Sequence, residues 1–139
     1  MNSSSIITAF FAACWLLGCS GLSTMADVFP YGLGANGLGQ VGDAALSDRS
    51  SPVAVASGDR PVGVQWTAVS AGGGHSLALG SDGKVYGWGA NASGQLGDET
   101  TSDRSRAVVV EAGEIPVGVS LQQVSAGGSH SLGLGSDGK

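Results

Sequence analysis

The stretch VSAGGGHSLAL at residues 69–79 returns as VSAGGSHSLGL at residues 124–134, and YGLGAN at 31–36 returns as YGWGAN at 86–91. A shift of 55 residues aligns 54 consecutive pairs without a gap, and 34 of those pairs are identical. Chance does not produce such agreement, so the sequence is built from tandem copies of one structural unit.

Each copy carries a pattern of short antiparallel strands. Residues 66–71 and 75–79 alternate between two faces and are separated by glycines. The sequence Ser-Asp-Gly at 81–83 predicts a hairpin turn, because Asp-Gly tolerates positive φ. Residues 84–88 form the predicted return strand, and 108–110 a fourth strand. Four short antiparallel strands per repeat are typical of one propeller blade. We therefore predict an all-β fold of about two such blades, an incomplete β-propeller.

The strings at 69–79, 82–91 and 94–97 together resemble the repeat of the regulator of chromosome condensation family. This resemblance covers nearly everything after residue 26 and implies a seven-bladed β-propeller. Leu33 in place of Trp88 is one departure and leaves the fold intact. The residues that match the repeat, and for which we expect a structural role, are Gly72, Gly73, His75, Gly89, Asn91, Gly94, Gln95, Gly97, Gly127, Gly128 and His130.

Residues 27–139 hold about two repeats, at about 28–82 and 83–137. The sequence reaches Lys139 at the position of Lys84, within a hairpin. Two blades cannot close a ring, and a blade cut there exposes an unpaired edge. We expect a piece of a longer protein with roughly five more blades. The alternative is self-association of several chains into one propeller.

Residues 1–26 have the character of a leader. They carry no formally charged side chain, and residues 6–18 are largely apolar. That length suits a signal-peptide core and is short for a membrane span, which needs roughly 18–20 residues. We therefore expect export, with a signal anchor or a start at Met25 as alternatives.

Two processing sites compete in this leader. Leu16-Leu17-Gly18-Cys19 resembles a lipobox, in which Cys19 would be lipidated, and residues 24–26 suit ordinary signal peptidase. The product would be either a membrane-anchored lipoprotein or a secreted protein, outside the cytoplasm in both cases. Any membrane contact would come through the leader or its lipid. The two cysteines both lie in the leader, so the repeats have no disulfide framework and no cysteine metal site.

The motifs that suggest chemistry have structural explanations. Residues 32–37 match G-x-G-x-x-G, but no helical pattern follows, so we interpret them as a turn. His75 and His130 occur once per repeat, next to glycines, where their ring nitrogens could bond neighbouring backbone. Ser76 also repeats, whereas a catalytic triad needs one converging trio. We expect no catalytic residue, no cofactor and no metal, although a weak calcium site at Asp98-Glu99 is conceivable.

Composition and repeat variation bear on the partner. Net charge is −5 and no basic stripe is present, which argues against nucleic-acid binding. We predict a non-enzymatic protein-interaction module whose partner surface lies where the copies differ. Those positions are residues 44–46 against 99–101, Arg60 against Ile115, and 65–68 against 120–123.

The family resemblance implies two other functions. One is nucleotide exchange on a small GTPase, together with chromatin association, as in the family's nuclear member. The other is inhibition of β-lactamases, as in some similar exported bacterial propellers.

Overall fold

A computed structural model describes residues 28–138 of the chain. The predicted leader at 1–26, with Cys19, lies outside the described residues. Within residues 28–138 there is no helix, and hence none long and apolar enough to cross a membrane. The strands are β1 (Tyr31–Gly34), β2 (Arg49–Ala54), β3 (Trp66–Ala71), β4 (His75–Gly80), β5 (Val85–Gly89), β6 (Arg104–Val109), β7 (Leu121–Ala126) and β8 (Ser131–Gly135).

The strands form three antiparallel sheets. The central sheet has the order β3-β4-β5-β6, and it is flanked by the two-stranded sheets β1-β2 and β7-β8. This confirms the predicted all-β fold with blades of four antiparallel strands. Three of the predicted strands are found within one residue of their expected ends. The fourth, expected at 108–110, is longer and begins at Arg104, because β6 pairs back along β5 as far as Gly89.

The sheets are out of phase with the sequence repeat. The central blade runs from Trp66 to Val109 and so crosses the repeat boundary expected between residues 82 and 83. A shift of 55 residues places β1-β2 on β5-β6, and β7-β8 on β3-β4. The described residues therefore make one whole blade between two half-blades.

The central blade buries a different apolar layer on each face. On the first face, the Trp66 ring meets Tyr86 edge-on at 5.2 Å between ring centroids and Trp88 at 6.2 Å. Val55 from the preceding half-blade completes that layer. On the second face, Leu77, Leu79 and Val85 are buried and pack against β7 of the following half-blade. Both faces are therefore blade-to-blade interfaces.

A polar contact marks the rim of the aromatic layer. The Tyr86 hydroxyl donates to the Asp82 carboxylate at 2.8 Å. Burial, reinforced by the hydrogen bond and the charge of Asp82, raises the pKa of Tyr86 to about 12. Tyr86 is therefore neutral at physiological pH and ties its strand to the hairpin turn that precedes it.

The glycine turns of successive repeats come into backbone contact. The Gly73 amide donates to the Gly127 carbonyl at 3.0 Å, and the Ala126 amide donates to Ser70 Oγ at 3.0 Å. A Cβ on Gly72 would lie 2.4 Å from the Gly127 carbonyl oxygen. Only glycine allows the two turns to approach this closely, because the obstacle is backbone and cannot rotate away.

We expect Gly72→Ala to lower the free energy of unfolding by about 1–3 kcal/mol, the usual cost of overpacking. Gly128→Ala is the matched control, since a Cβ there meets nothing within 4 Å, and its effect should stay within about 1 kcal/mol. Urea unfolding followed by tryptophan fluorescence measures both. Equal effects of the two substitutions would contradict the close-approach argument.

Candidate functional site: the upper loop rim

Antiparallel pairing sends alternate connections to opposite ends of the blade. The segments between β5 and β6 and between β3 and β4 lie at one end, and those between β4 and β5 and between β6 and β7 at the other. We call the first end the upper rim, formed by residues 35–48, 72–74 and 90–103. The second is the lower rim, formed by residues 55–65, 81–84 and 110–120.

This arrangement divides the predicted partner surface. Residues 44–46 and 99–101 lie at the upper rim, whereas Arg60, Ile115 and the starts of β3 and β7 lie at the lower rim. The variable positions therefore form two separate surfaces instead of one. Arg60 also has a local role in packing. Its guanidinium lies 5.4 Å from the Trp66 ring and 5.6 Å from Phe29, and it donates to the Val64 carbonyl.

Asn91 organises the long loop of the upper rim. Its side chain is fully buried. Nδ2 donates to Asp98 Oδ1 at 2.9 Å and to the Thr100 carbonyl at 3.1 Å, and Oδ1 accepts from the Leu96 amide at 2.9 Å. The Asn91 amide donates to Asp103 at 2.7 Å. One amide side chain therefore holds three parts of the loop together.

The same network is built again in the preceding repeat. Asn36, also fully buried, donates through Nδ2 to Asp43 at 2.9 Å and to the carbonyl of Ala45 at 3.2 Å. Its Oδ1 accepts from Val41, and its own amide donates to Asp48. The two loops therefore share the hydrogen bonds of the buried asparagine although their tips differ, and Thr100 Oγ1 adds a bond to Asp98 at 2.8 Å in the second loop alone.

An ion pair closes each loop. Arg104 Nε lies 2.7 Å from Asp98 Oδ2, and Arg49 pairs with Asp43 in the same way. Burial would raise the pKa of Asp98, but hydrogen bonds from Thr100, Arg104 and Asn91 outweigh it, so its pKa lies below the usual value. Each aspartate is therefore paired within its own loop. Their carboxylates are engaged by the network, and among residues 28–138 no three His, Cys, Asp or Glu side chains group as metal ligands.

The remaining signature residues of this loop form tight turns. The Gly94 amide donates to the Asn91 carbonyl at 2.8 Å, and the Gly97 amide to the Gly94 carbonyl at 3.0 Å. Both glycines have positive φ, 72° and 61°. Gln95 Oε1 accepts from the Ser93 amide at 2.9 Å. Gly89 leads into this loop, and a Cβ there would lie 2.5 Å from the Gly74 carbonyl.

His75 is buried at the start of β4, with 1% of its surface exposed. Its Nε2 lies 3.0 Å from Ser131 Oγ, whose hydroxyl donates to the Gln95 carbonyl at 2.7 Å. Ser131 must then accept from the ring, so Nε2 carries the proton. The expectation that the ring bonds neighbouring backbone was wrong for His75, because Nε2 reaches a side chain of the next repeat and Nδ1 has no partner.

His130, at the equivalent position, is exposed. A Cβ on Gly127 would lie 2.5 Å from its ring, so the ring covers this glycine. The difference from His75 arises from position. His75 is enclosed by the following half-blade, whereas no described strand lies beyond His130. Gly128, like Gly73, stands in the exposed part of the turn.

Sequence reasoning missed the residues that converge on the Gln40 and Gln95 carbonyls. Ser76 Oγ and Trp88 Nε1 each donate to the Gln40 carbonyl at 2.9 Å, and Ser131 Oγ donates to the Gln95 carbonyl. Repetition of Ser76 as Ser131 at the 55-residue period was the available signal. It pointed to a structural serine but did not reveal its acceptor.

Comparison with known proteins agrees with this architecture. Models of the regulator of chromosome condensation repeat match residues 31–79 and 82–134, and a second such model matches 66–95. The human E3 ubiquitin-protein ligase HERC2 is 36% identical over 106 residues, which are 76% of this chain and 2% of that protein. The Xenopus laevis regulator of chromosome condensation is 32% identical over 108 residues, covering 77% of this chain and 24% of that protein.

Solved structures show the same fold. Prp20p of Saccharomyces cerevisiae superimposes with a TM-score of 0.66 at 24% identity, over 81% of this chain and 28% of that one. Human WBSCR16 gives a TM-score of 0.53 at 21% identity, over 74% of this chain and 24% of that one.

The fold and the repeated loop network define a propeller-repeat protein. More particularly, the chain belongs to the regulator of chromosome condensation repeat family, with about two repeats present. It spans about a quarter or less of the length of the relatives described above.

We expect Asn91→Ala to lower the free energy of unfolding by about 2–3 kcal/mol, because it leaves the Leu96 amide and the Asp98 carboxylate without their buried partner. Ser93→Ala, two residues away and exposed, should change stability by less than about 0.5 kcal/mol. Urea denaturation measures both values. A small effect of Asn91→Ala would show that water or a neighbour replaces the amide.

The pH dependence of stability should report on His75. Burial lowers the pKa of its ring below the ordinary 6.5, and the charge of His130 lowers it further. The unfolded chain therefore binds a proton near pH 6.5 that the folded chain does not, so stability is full above that pH and falls as the pH decreases. His75→Gln should flatten the curve between about pH 7 and pH 5. His130→Gln, at the exposed site, should retain most of the slope.

Proposed function

We propose that this chain is a non-catalytic protein-interaction module of an exported propeller, and that the upper rim contacts its partner. The observation that carries the proposal is the pair of loops at 35–48 and 90–103. Their buried asparagines make the same hydrogen bonds to the following aspartate and backbone, whereas their tips differ, Ala-Ala-Leu at 44–46 against Glu-Thr-Thr at 99–101. Binding residues are found disproportionately on loops that a rigid scaffold positions.

The tips are exposed and chemically distinct. Leu46 has 63% of its surface exposed, and Glu99, Thr100 and Thr101 are exposed as well. One rim thus presents an apolar tip beside a polar, acidic one. Such a combination fits a protein surface, where apolar anchors and polar contacts act together.

A catalytic role has less support among the described residues. Both histidines and the aspartates recur once per repeat as a histidine or an acid, and Asp43, Asp98 and His75 are engaged in structural hydrogen bonds. A reaction needs one converging set of groups. We therefore assign the module binding alone.

The comparisons support protein binding in general. Prp20p of yeast has binding properties to Gsp1p and histones. In another crystal structure, Kap60 is bound to Prp20. Nucleotide exchange on a GTPase remains the alternative. For this chain, acidic net charge and the predicted leader favour an extracytoplasmic protein partner.

A tip exchange tests the rim. Glu99→Ala, Thr100→Ala and Thr101→Leu together convert the second tip into the first, and the first repeat shows that this tip is compatible with the network. The exchange removes the Thr100 Oγ1 hydrogen bond to Asp98 at 2.8 Å, so stability should fall by about 1 kcal/mol. Affinity for partners captured from the extracytoplasmic fraction should fall at least about tenfold, the effect of losing one or two hot-spot contacts. Val117→Asp, on the opposite rim and fully exposed, should leave affinity unchanged.

Unchanged affinity after the tip exchange, or a loss confined to Val117→Asp, would contradict the rim assignment. Accelerated nucleotide release from a small GTPase would favour the alternative. Cell fractionation with mass spectrometry of the mature N-terminus tests export separately. A lipidated Cys19 or a start at Asp27 supports it, and an intact chain in the cytosol or nucleus contradicts it.

A further inference from the structure

The loop at 35–48 begins with Asn36-Gly37, the one place in the chain where glycine follows asparagine. Asn91, the repeat equivalent of Asn36, is followed by Ala92. The two buried side chains make matching hydrogen bonds to the aspartate seven residues further on. Directly beside the residue that organises each loop, the two loops therefore differ in whether the next residue carries a Cβ.

The backbone that follows an asparagine can convert its side chain without an enzyme. The amide nitrogen of the next residue bonds to the asparagine Cγ and ammonia leaves, which closes a succinimide ring. Water then adds to either ring carbonyl and opens the ring, which gives aspartate or isoaspartate. A Cβ on the next residue crowds the attacking nitrogen and restricts its backbone, whereas glycine leaves both free. Asn36 is therefore the reactive member of the pair.

The closed loop keeps Asn36 out of this reaction. The side chain is fully buried, and its Oδ1 accepts from the Val41 amide at 3.0 Å. Its Nδ2 donates to Asp43, Ala45 and Ser47 at 2.9, 3.2 and 3.1 Å. The side chain must leave all these partners before Cγ can turn back toward the next backbone nitrogen. Reaction thus requires local opening of the loop, which costs less free energy than global unfolding.

The product of the reaction cannot take the place of the amide. Every partner of the Asn36 Nδ2 is an acceptor, either the Asp43 carboxylate or a backbone carbonyl. Burial would raise the pKa of Asp43, but hydrogen bonds from Arg49, Ala45 and Asn36 outweigh it, so its pKa lies below the usual value. A second carboxylate at position 36 would face that negative charge with no proton to donate, which is costly in a buried site. Isoaspartate also lengthens the main chain at the start of the loop.

We propose that Asn36 is a self-modification site, at which opening of the loop at 35–48 leads to irreversible conversion of the amide to aspartate or isoaspartate. The loop at 90–103 resists this conversion because Ala92 follows its asparagine. Conversion dismantles the first loop and leaves the second intact. The inference goes beyond the proposed rim function, since it concerns the chemical lifetime of one loop and holds whatever the rim binds.

The fold does not require glycine at position 37. A Cβ there would meet nothing within 4 Å, and Gly37 is not among the glycines with positive φ. The second repeat already carries Ala92 at the same place. Gly37→Ala therefore removes the reactive sequence from the first loop without disturbing it, and Ala92→Gly gives that sequence to the second loop.

The test is peptide mapping by mass spectrometry after incubation of the full chain in mildly alkaline buffer, with and without urea. In urea, Asn36 should convert at least about tenfold faster than Asn91, a barrier difference of about 1.4 kcal/mol. Without urea, Asn36 should remain the faster site but convert at least about tenfold more slowly than in urea, because the loop is rarely open. Gly37→Ala should lose the conversion at Asn36, and Ala92→Gly should gain it at Asn91.

Loosening one loop at a time tests the link to loop opening. Arg49→Ala removes the ion pair with Asp43. Without urea, it should raise the conversion rate at Asn36 at least about fivefold, the effect of losing one charge-assisted hydrogen bond. Arg104→Ala removes the equivalent ion pair of the second loop and should leave that rate unchanged. In urea, both variants should convert like the parent chain, since no closed loop remains to protect the amide.

Asn36→Asp reproduces the product and tests its consequence. Hydrogen exchange of the Val41 amide, which Asn36 holds in the parent chain, should accelerate at least about tenfold. Exchange of the Leu96 amide, which Asn91 holds, should stay unchanged. Equal conversion at the two asparagines, a parent-like rate in Gly37→Ala, no acceleration by urea or by Arg49→Ala, or unchanged protection of Val41 would overturn the proposal.

Discussion

The structure depends on backbone contact between the glycine turns of successive repeats. Gly73 donates to the Gly127 carbonyl, and the space at Gly72 is too small for even one methyl group. This contact sets the distance between neighbouring sheets at the turn between β3 and β4 and the turn between β7 and β8. Once that distance is fixed, the aromatic layer on one face and the leucine layer on the other must fill whatever space remains between the sheets. The glycine content of the sequence is therefore a packing requirement as well as a turn requirement.

Sequence reasoning recovered the fold because the repeat gives the same information twice. The strands at 66–71 and 75–80 alternate visibly, and the Asp-Gly turn separates β4 from β5. The repeat bounds placed at about 28–82 and 83–137 do not coincide with the blade, since a periodic sequence has no intrinsic starting point. The pairing of β4 with β5 and the separation of β2 and β3 into different sheets show that the sheet begins at Trp66. The length of β6 was also underestimated, because Arg104 and Arg106 interrupt the apolar pattern that marks a strand.

The candidate site was harder to derive for a physical reason. Variation between the two copies identifies positions whose side chains are not required by the structure that both repeats share. It does not show where those positions lie in the folded chain. Residues 65–68 and 99–101 vary equally, yet antiparallel pairing sends them to opposite rims. Arg60 shows the other weakness of the criterion. It differs from Ile115 because it stacks on Trp66, where the second copy has Leu121, so its variation reflects packing within one repeat.

The backbone conformation shows which features of the two upper-rim loops are set by the shared fold, and it does so more clearly than the differences in their sequences. Ala44 and Glu99 occupy the same repeat position, and both have positive φ, 68° and 58°. Neither is glycine or asparagine, so each loop accepts a strained residue at a cost of about 1–2 kcal/mol. Two unrelated side chains in one unfavourable conformation mean that the conformation is imposed from outside, by the buried asparagine and its acidic and arginine partners. Because this network holds Ala44 and Glu99 in their strained conformation, the side chains at 45–46 and 100–101 can differ while the backbone of the loop keeps its course.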